Sequence, residues 1–133
     1  MPDFSVRSNE AEIMDDLGYS GEMMDRTLYE LEIINKWLGG NGVTLGGLKK
    51  LLKTHNPKET INIADLGCGR GDMLRMISSW AKREKRVVRL FGIDANPYII
   101  DAARTNLRDH PNIELLAMNV FSAEFQKLKF DIV

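Results

Sequence analysis

The sequence predicts an α/β fold in which a parallel sheet with helical crossovers follows a helical N-terminal half. Three observations carry this. Short, apolar, β-branched runs begin at Ile61, Val87 and Ile113 and alternate with stretches of helical periodicity. A glycine-rich turn, "GCGRG", follows the first run at once and leads into a helical stretch. Before Ile61 the apolar residues recur only at helical spacing. Strands alternating with helices in this way imply parallel pairing and right-handed crossovers.

Taken in order, residues 1–9 read as a flexible arm. A short helix is expected from Glu10 to Leu17, closed by Gly18. A longer one is expected from Gly21 to Leu38, with Met24, Leu28, Leu31, Ile34 and Leu38 on one face, ended by Gly39-Gly40. Thr44 is placed to cap a helix through Lys53, with Leu45, Leu48, Leu51 and Leu52 inward. "THNPKET" is a loop, because Pro57 blocks helix continuation. "INIADL" then reads as a buried strand. Asp72 is placed to cap the next helix, whose inner face carries Met73, Met76, Ile77, Trp80 and Ala81. "VVRLFGID" is the second strand. Asn96 and Pro97 form a helix start, cap then first-turn proline, and that helix runs to Leu107 before "RDHPN" breaks it. "IELLAMNV" is the third strand, and "FDIV" reads as a fourth after a loop or short helix. The division is a helical extension or lid over residues 1–56 and an α/β core over 57–133.

The chain has 133 residues, 44% hydrophobic and 28% charged, which suits one globular domain. A formal net charge of −1 supplies no basic field for nucleic acid or acidic membranes. Cys68 is the single cysteine, so an internal disulfide is excluded and a reducing compartment fits. The first residues lack the pattern of a secretion signal, and no apolar run reaches bilayer length. The reading is cytoplasmic, with neither membrane nor nucleic acid as partner. The chain stops on the apolar "KFDIV". The sequence is therefore expected to be the front part of a longer protein, with its fourth strand a stub. Self-association through an exposed sheet edge is expected to follow.

A glycine turn between a first strand and a helix is a place for an anion or a nucleotide. Three patterns compete for "DLGCGRGD". A P-loop requires a Lys-Ser or Lys-Thr that is not there. The dinucleotide fingerprint requires Gly or Ala at the sixth position from Gly67, where this chain has Asp72, whose charge would oppose a pyrophosphate. The remaining pattern, acidic-apolar-Gly-x-Gly-x-Gly, is matched from Asp65 to Gly71.

With these residues in view the chain resembles the N-terminal part of a class I S-adenosylmethionine-dependent methyltransferase. "IADLGCGRGD" is similar to the first motif of that family and "FGIDANP" to the second. "LLAMNVF" stands at the place of the third, and "FDIV" resembles the opening of strand four. The match covers residues 61–133. It implies a Rossmann-like sheet with strand order 3-2-1-4, incomplete here, and S-adenosylmethionine as cofactor at the switch point between strands one and four. It implies that Asp65 helps hold the ammonium of the methionyl end. Gly67, Cys68, Gly69 and Gly71 then pass close to the amino acid and ribose, and Asp94 accepts the ribose hydroxyls. Ala95 lines the adenine, with Asn119 and Val120 beside it; Asn119 stands where the family commonly has an aspartate. The helical start, with "MDDLG" and "RTLYELEIINKWLGG", loosely resembles bacterial small-molecule methyltransferases of quinone biosynthesis and implies a small-molecule acceptor. No metal is implied, and no catalytic base can be named.

Plainer roles stand beside these. Asp65 and Asp94 also fit ordinary strand-end and loop acids. Cys68 reads as a small packed residue rather than a nucleophile. His55 and His110 lie in loops beside Pro57 and Pro111. The basic run Lys82, Arg83, Lys85, Arg86 and Arg89 reads as a solvated complement to a helix C-terminus rather than an RNA surface. Met23, Met24, Met73 and Met76 read as core, with Met23, Tyr29 and Trp37 as an alternative substrate lid. The functional alternatives are a nicotinamide-dependent Rossmann oxidoreductase and a non-catalytic cofactor-binding module.

Overall fold

A computed structural model describes Asp16 and residues 18–133. The arm over residues 1–9 and the helix expected over Glu10–Leu17 fall outside the described residues, Asp16 apart. The elements in chain order are α1 (Glu22–Trp37), α2 (Gly40–Leu51), β1 (Ile61–Leu66), α3 (Asp72–Arg83), β2 (Val88–Asp94), α4 (Pro97–Asn106), β3 (Ile113–Ala117) and a 3-10 turn at Phe125–Lys127. The three strands pair in parallel in the order β1-β2-β3. Among the described residues no helix is long and apolar enough to cross a membrane.

The four-stranded order 3-2-1-4 is not what forms. Beside β1 there is one parallel bridge, Ile63 with Ile132, in place of a strand. Asp131 explains the difference, because a side chain takes over part of the ladder. Its Oδ2 accepts the Asn62 N–H at 2.8 Å and the Asn62 amide at 3.2 Å. Asn62 O in turn accepts the N–H of Asp131 at 2.8 Å, and Ala64 N donates to Ile132 O at 2.9 Å. The β1 edge, expected to be bare, is thus hydrogen-bonded across residues 62–64.

The principal core joins Ile61 and Ile63 of β1, Val88 and Leu90 of β2, α3, and Leu45, Leu48 and Leu52 of α2. In α3 the buried stripe is Leu74, Ile77, Ser78 and Ala81, with Trp80 beside it. Met73 and Met76, expected on this inner face, pack half-buried at its margin. α2 starts at Gly40, four residues before the expected cap. Its N-cap is Gly39 in the left-handed region, and Thr44 Oγ1 donates inside the helix to Gly40 O at 3.3 Å. Leu51, expected inward, is exposed. α2 carries glycine at 40, 42, 46 and 47, each a poor helix former. It stays helical because Leu45 and Leu48 bury in the main core.

α1 packs through one end of its predicted face. Met24 and Leu28 bury with Ile99 and half-buried Tyr19 and Tyr98 in a second cluster. Leu31, Ile34 and Leu38, expected on that face, are exposed. Arg86 belongs to the fold rather than to a solvated charge run. Its Nη2 donates to Leu52 O, the C-cap of α2, at 2.8 Å, and its guanidinium lies 5.8 Å from the Trp80 ring centroid. α4 starts as the sequence requires: Asn96 Oδ1 accepts the Tyr98 N–H at 2.9 Å, and Pro97 fills the first turn.

Candidate functional site

Parallel pairing sets the site. The register places Leu66 opposite Ile93, so β1 and β2 end together with Asp65 and Asp94 at the same carboxyl end. The loop after β1 is tied down by β2, with Gly67 N and Cys68 N both donating to Ile93 O, at 2.8 and 3.2 Å. Gly71 N then closes back on Cys68 O at 2.9 Å. Gly67, Gly69 and Gly71 all have positive φ, which a side chain would resist. A Cβ at Gly67 or Gly69 would meet nothing within 4 Å, whereas one at Gly71 would overlap Leu107. Gly71 therefore serves the packing of α4 against the loop. It is also the N-cap of α3, which corrects the expectation for Asp72. Asp72 instead accepts from Arg75 Nη2 at 2.7 Å within the first turn.

These elements surround a cavity of about 540 Å³. The loop contributes Asp65, Gly67, Cys68, Gly69 and Arg70 to its wall, and the end of β2 contributes Asp94 and Asn96. α1 and α2 close the opposite side with Leu28, Leu31, Glu32, Asn35, Asn41 and Thr44. Five of the expected residues, Asp65, Gly67, Cys68, Gly69 and Asp94, thus meet on one wall. Gly71 is buried behind it, and Ala95, Asn119 and Val120 lie outside the lining. Asn119 Oδ1 accepts the Phe121 N–H at 2.9 Å in a local turn. Met23, Tyr29 and Trp37 do not line the cavity, and all three are exposed.

The wall is acidic. Burial, with the Asp94 charge adding to it, raises the Asp65 carboxyl to about 6. Burial, with Asp65 and Asp94 adding, pushes the Cys68 thiol up to about 12, so it is not a nucleophile at neutral pH. Asp94 Oδ1 accepts the Asn96 N–H at 3.0 Å, which fixes its orientation. Glu32 and Asp72 both lie near the Arg75 guanidinium, at 3.7 and 2.7 Å, a link between α1 and α3. His110 turns elsewhere: Ser78 donates to Asn112 Oδ1 at 2.9 Å, so His110 Nδ1, 3.0 Å from Ser78 Oγ, is the donor there. His55 pairs with Glu59. Among the described residues no three His, Cys, Asp or Glu converge as a metal site.

Sequence reasoning missed three features of the site. Arg70 is an unspecified position in the glycine pattern, so the motif is silent about it. Glu32 and Arg75 are distant in sequence, and no local signal links them. Asn96 was legible as a cap, but its Nδ2 also donates to Tyr19 O at 2.9 Å and ties the segment before α1 to the end of β2.

The model of a family described as methyltransferase domain matches residues 63–133. A ubiquinone/menaquinone biosynthesis C-methyltransferase, UbiE, of Campylobacter jejuni subsp. jejuni (strain 81-176) is 29% identical over 77 residues, covering 57% of this chain. The chain spans 32% of that relative's length. A Methanococcus maripaludis structure assigned as an S-adenosyl-L-methionine-dependent methyltransferase shares the fold, with a TM-score of 0.53 at 13% identity, over 89% of this chain and 48% of that one. The citrinin polyketide synthase CMeT domain matches with a TM-score of 0.50 at 25% identity, over 56% of this chain and 20% of that one.

Proposed function

The chain belongs to the methyltransferase-domain family, and from that membership we propose that it forms the S-adenosylmethionine-binding portion of a methyltransferase acting on a small molecule. The observation that carries this reading is the convergence of the glycine loop with Asp65 and Asp94 on one cavity wall. The donor set fits the cofactor. Asp65, Asp94, Asp72 and Glu32 give the lining four carboxylates, with Arg70 as its guanidinium. An acid-rich wall favours a ligand with an ammonium and a sulfonium, and opposes the pyrophosphate of a dinucleotide.

In this reading Asp65 receives the ammonium and Asp94 the ribose hydroxyls. Gly67 and Gly69 let the backbone approach, while Asn96 holds Asp94 in place. Ala95, Asn119 and Val120 follow β2 and β3 at the same end of the sheet, and the adenine is assigned to them. Asn119 Oδ1 has a second lone pair beyond the one used by Phe121 N. When bound, the cofactor supplies a sulfonium-activated methyl group. The chain's own work is to hold the two reactants in line and exclude water. No residue of the cavity is assigned as a base.

Residues 1–56 are assigned as the helical extension and 57–133 as the cofactor-binding core. α1 and α2 supply the wall facing the acids, with apolar Leu28 and Leu31 among polar Glu32, Asn35 and Thr44. That mixture suits a small, partly apolar acceptor, and the UbiE and CMeT relatives point the same way. The single Cys68 suits a reducing compartment such as the cytoplasm. Pairing of copies through the sheet remains part of the reading only beyond residues 62–64, where β1 is already bonded.

The test is Asp94→Ala. Loss of charge-assisted hydrogen bonds predicts about 1–3 kcal/mol weaker binding of S-adenosylmethionine by calorimetry. Unchanged affinity removes Asp94 from the site and the reading with it.

A further inference from the structure

We propose that Arg70 is the carboxylate-binding residue of this cavity, receiving the α-carboxylate of the ligand whose ammonium Asp65 receives. The inference rests on the cofactor reading above and assigns a role to a residue that the motif leaves unspecified.

Three observations meet at Arg70. It lines the cavity between Gly69 and the start of α3. Its Nε is buried and, among the described residues, has no hydrogen-bond partner. Buried polar groups are nearly always paired, and a guanidinium N–H removed from water carries a desolvation cost until an acceptor arrives. The second observation concerns the backbone. The N–H groups of Gly69 and Arg70 have no acceptor among the described residues, whereas their neighbours Gly67, Cys68 and Gly71 are bonded within the protein. Gly69 is in the left-handed region, and consecutive free N–H groups around such a residue form a concavity suited to an anion.

The third observation is the contrast with the other charges in the lining. Asp72 and Glu32 share Arg75, so part of their charge is already met within the protein. Arg70 takes part in no ion pair among the described residues. Its backbone is held in place, because Asn106 Nδ2 donates to Arg70 O at 2.9 Å. The wall therefore offers carboxylates and a guanidinium a few residues apart on one loop. A zwitterionic amino-acid group is the complement of such a pair: its ammonium matches Asp65, and its carboxylate matches the planar Arg70 fork.

The experiment is calorimetric titration with S-adenosylhomocysteine and with its decarboxylated analogue, which keeps the adenosine and the ammonium. The wild-type chain is expected to prefer the carboxylate-bearing ligand by about 10- to 100-fold, the worth of charge-assisted hydrogen bonds. Arg70→Met keeps the bulk of the stem and the backbone N–H groups, and is expected to lose most of that preference while binding the analogue at the wild-type affinity. Arg70→Lys, which keeps the charge without the fork, is expected to fall between. An Arg70→Met chain that keeps the preference, or that loses the same factor for both ligands, overturns the inference. Should Arg70→Met fail to fold by circular dichroism, Arg70→Lys decides alone: a reduced preference with unchanged analogue binding supports the assignment, and an unchanged preference overturns it. A wild-type chain that binds both ligands equally removes Arg70's role and leaves the cofactor reading intact. A wild-type chain that binds neither removes both.

Discussion

Asp65 at the end of β1 and Asp94 at the end of β2 line the same cavity, and the charge of Asp94 adds to burial in lifting the Asp65 carboxyl to about 6. The two acids are 29 residues apart in sequence and are brought together by the parallel register alone. The Asp94 charge beside it disfavours an ionised Asp65 until a cation arrives.

The pH dependence follows from that lift. An unfolded aspartate titrates near about 3.9. Between about pH 4 and about pH 6 the folded state therefore holds a proton at Asp65 that the unfolded state has released. Stability contributed by this group falls as pH rises through that window, by about 3 kcal/mol at most. Asp65→Asn should flatten the fall relative to wild type, as measured by urea midpoints at pH 4.5 and pH 7. The same proton must leave when an ammonium binds, so affinity for S-adenosylhomocysteine should strengthen as pH rises through about 6. A variant and wild type with parallel pH profiles would contradict the assignment.

Gly71→Ala meets two obstacles at once. The backbone there has φ +83°, and the new methyl would overlap Leu107. A loss of about 2–4 kcal/mol in unfolding free energy is expected. Adding Leu107→Ala to the same chain removes the overlap, so the double variant should cost less than the sum of the two single ones. Strict additivity by denaturant titration would show that Leu107 is not the obstacle.

Asn96 is 4% exposed; its side chain bonds the first turn of α4 and Tyr19, and its backbone N–H donates to Asp94. Asn96→Ala should cost about 1–3 kcal/mol, from the lost cap and from a Tyr19 carbonyl left without its donor. Asn96→Ser keeps a capping oxygen and should cost less. Equal losses in the two variants, read from urea midpoints, would mean that capping contributes nothing here.

These residues also show what the sequence makes legible. β1, β2 and the α4 start were readable because each has a strong local cause: β-branched runs bounded by glycine and polar residues, and an Asn-Pro pair. The meeting of Asp65, the glycine loop and Asp94 followed from strand order, which alternation of elements implies. α2 was misplaced because its glycines argue locally for a loop, while Leu45 and Leu48 bury in a core that only the whole chain supplies. The fourth strand, expected as a stub, is a single parallel bridge beside β1, with the Asp131 side chain taking one place of the ladder. Arg70, and the Glu32–Arg75 link across helices, had no local signature. Their roles depend on burial and on which neighbours are already paired, and neither is a property of a short stretch.

The central claim is that this acid-lined cavity takes an S-adenosyl amino acid rather than a dinucleotide. Calorimetric titration of the chain with S-adenosylhomocysteine and, separately, with NAD tests it most directly. Saturable one-to-one binding of S-adenosylhomocysteine, with no heat from NAD, is the predicted result. Clear binding of NAD with no response to S-adenosylhomocysteine would contradict it.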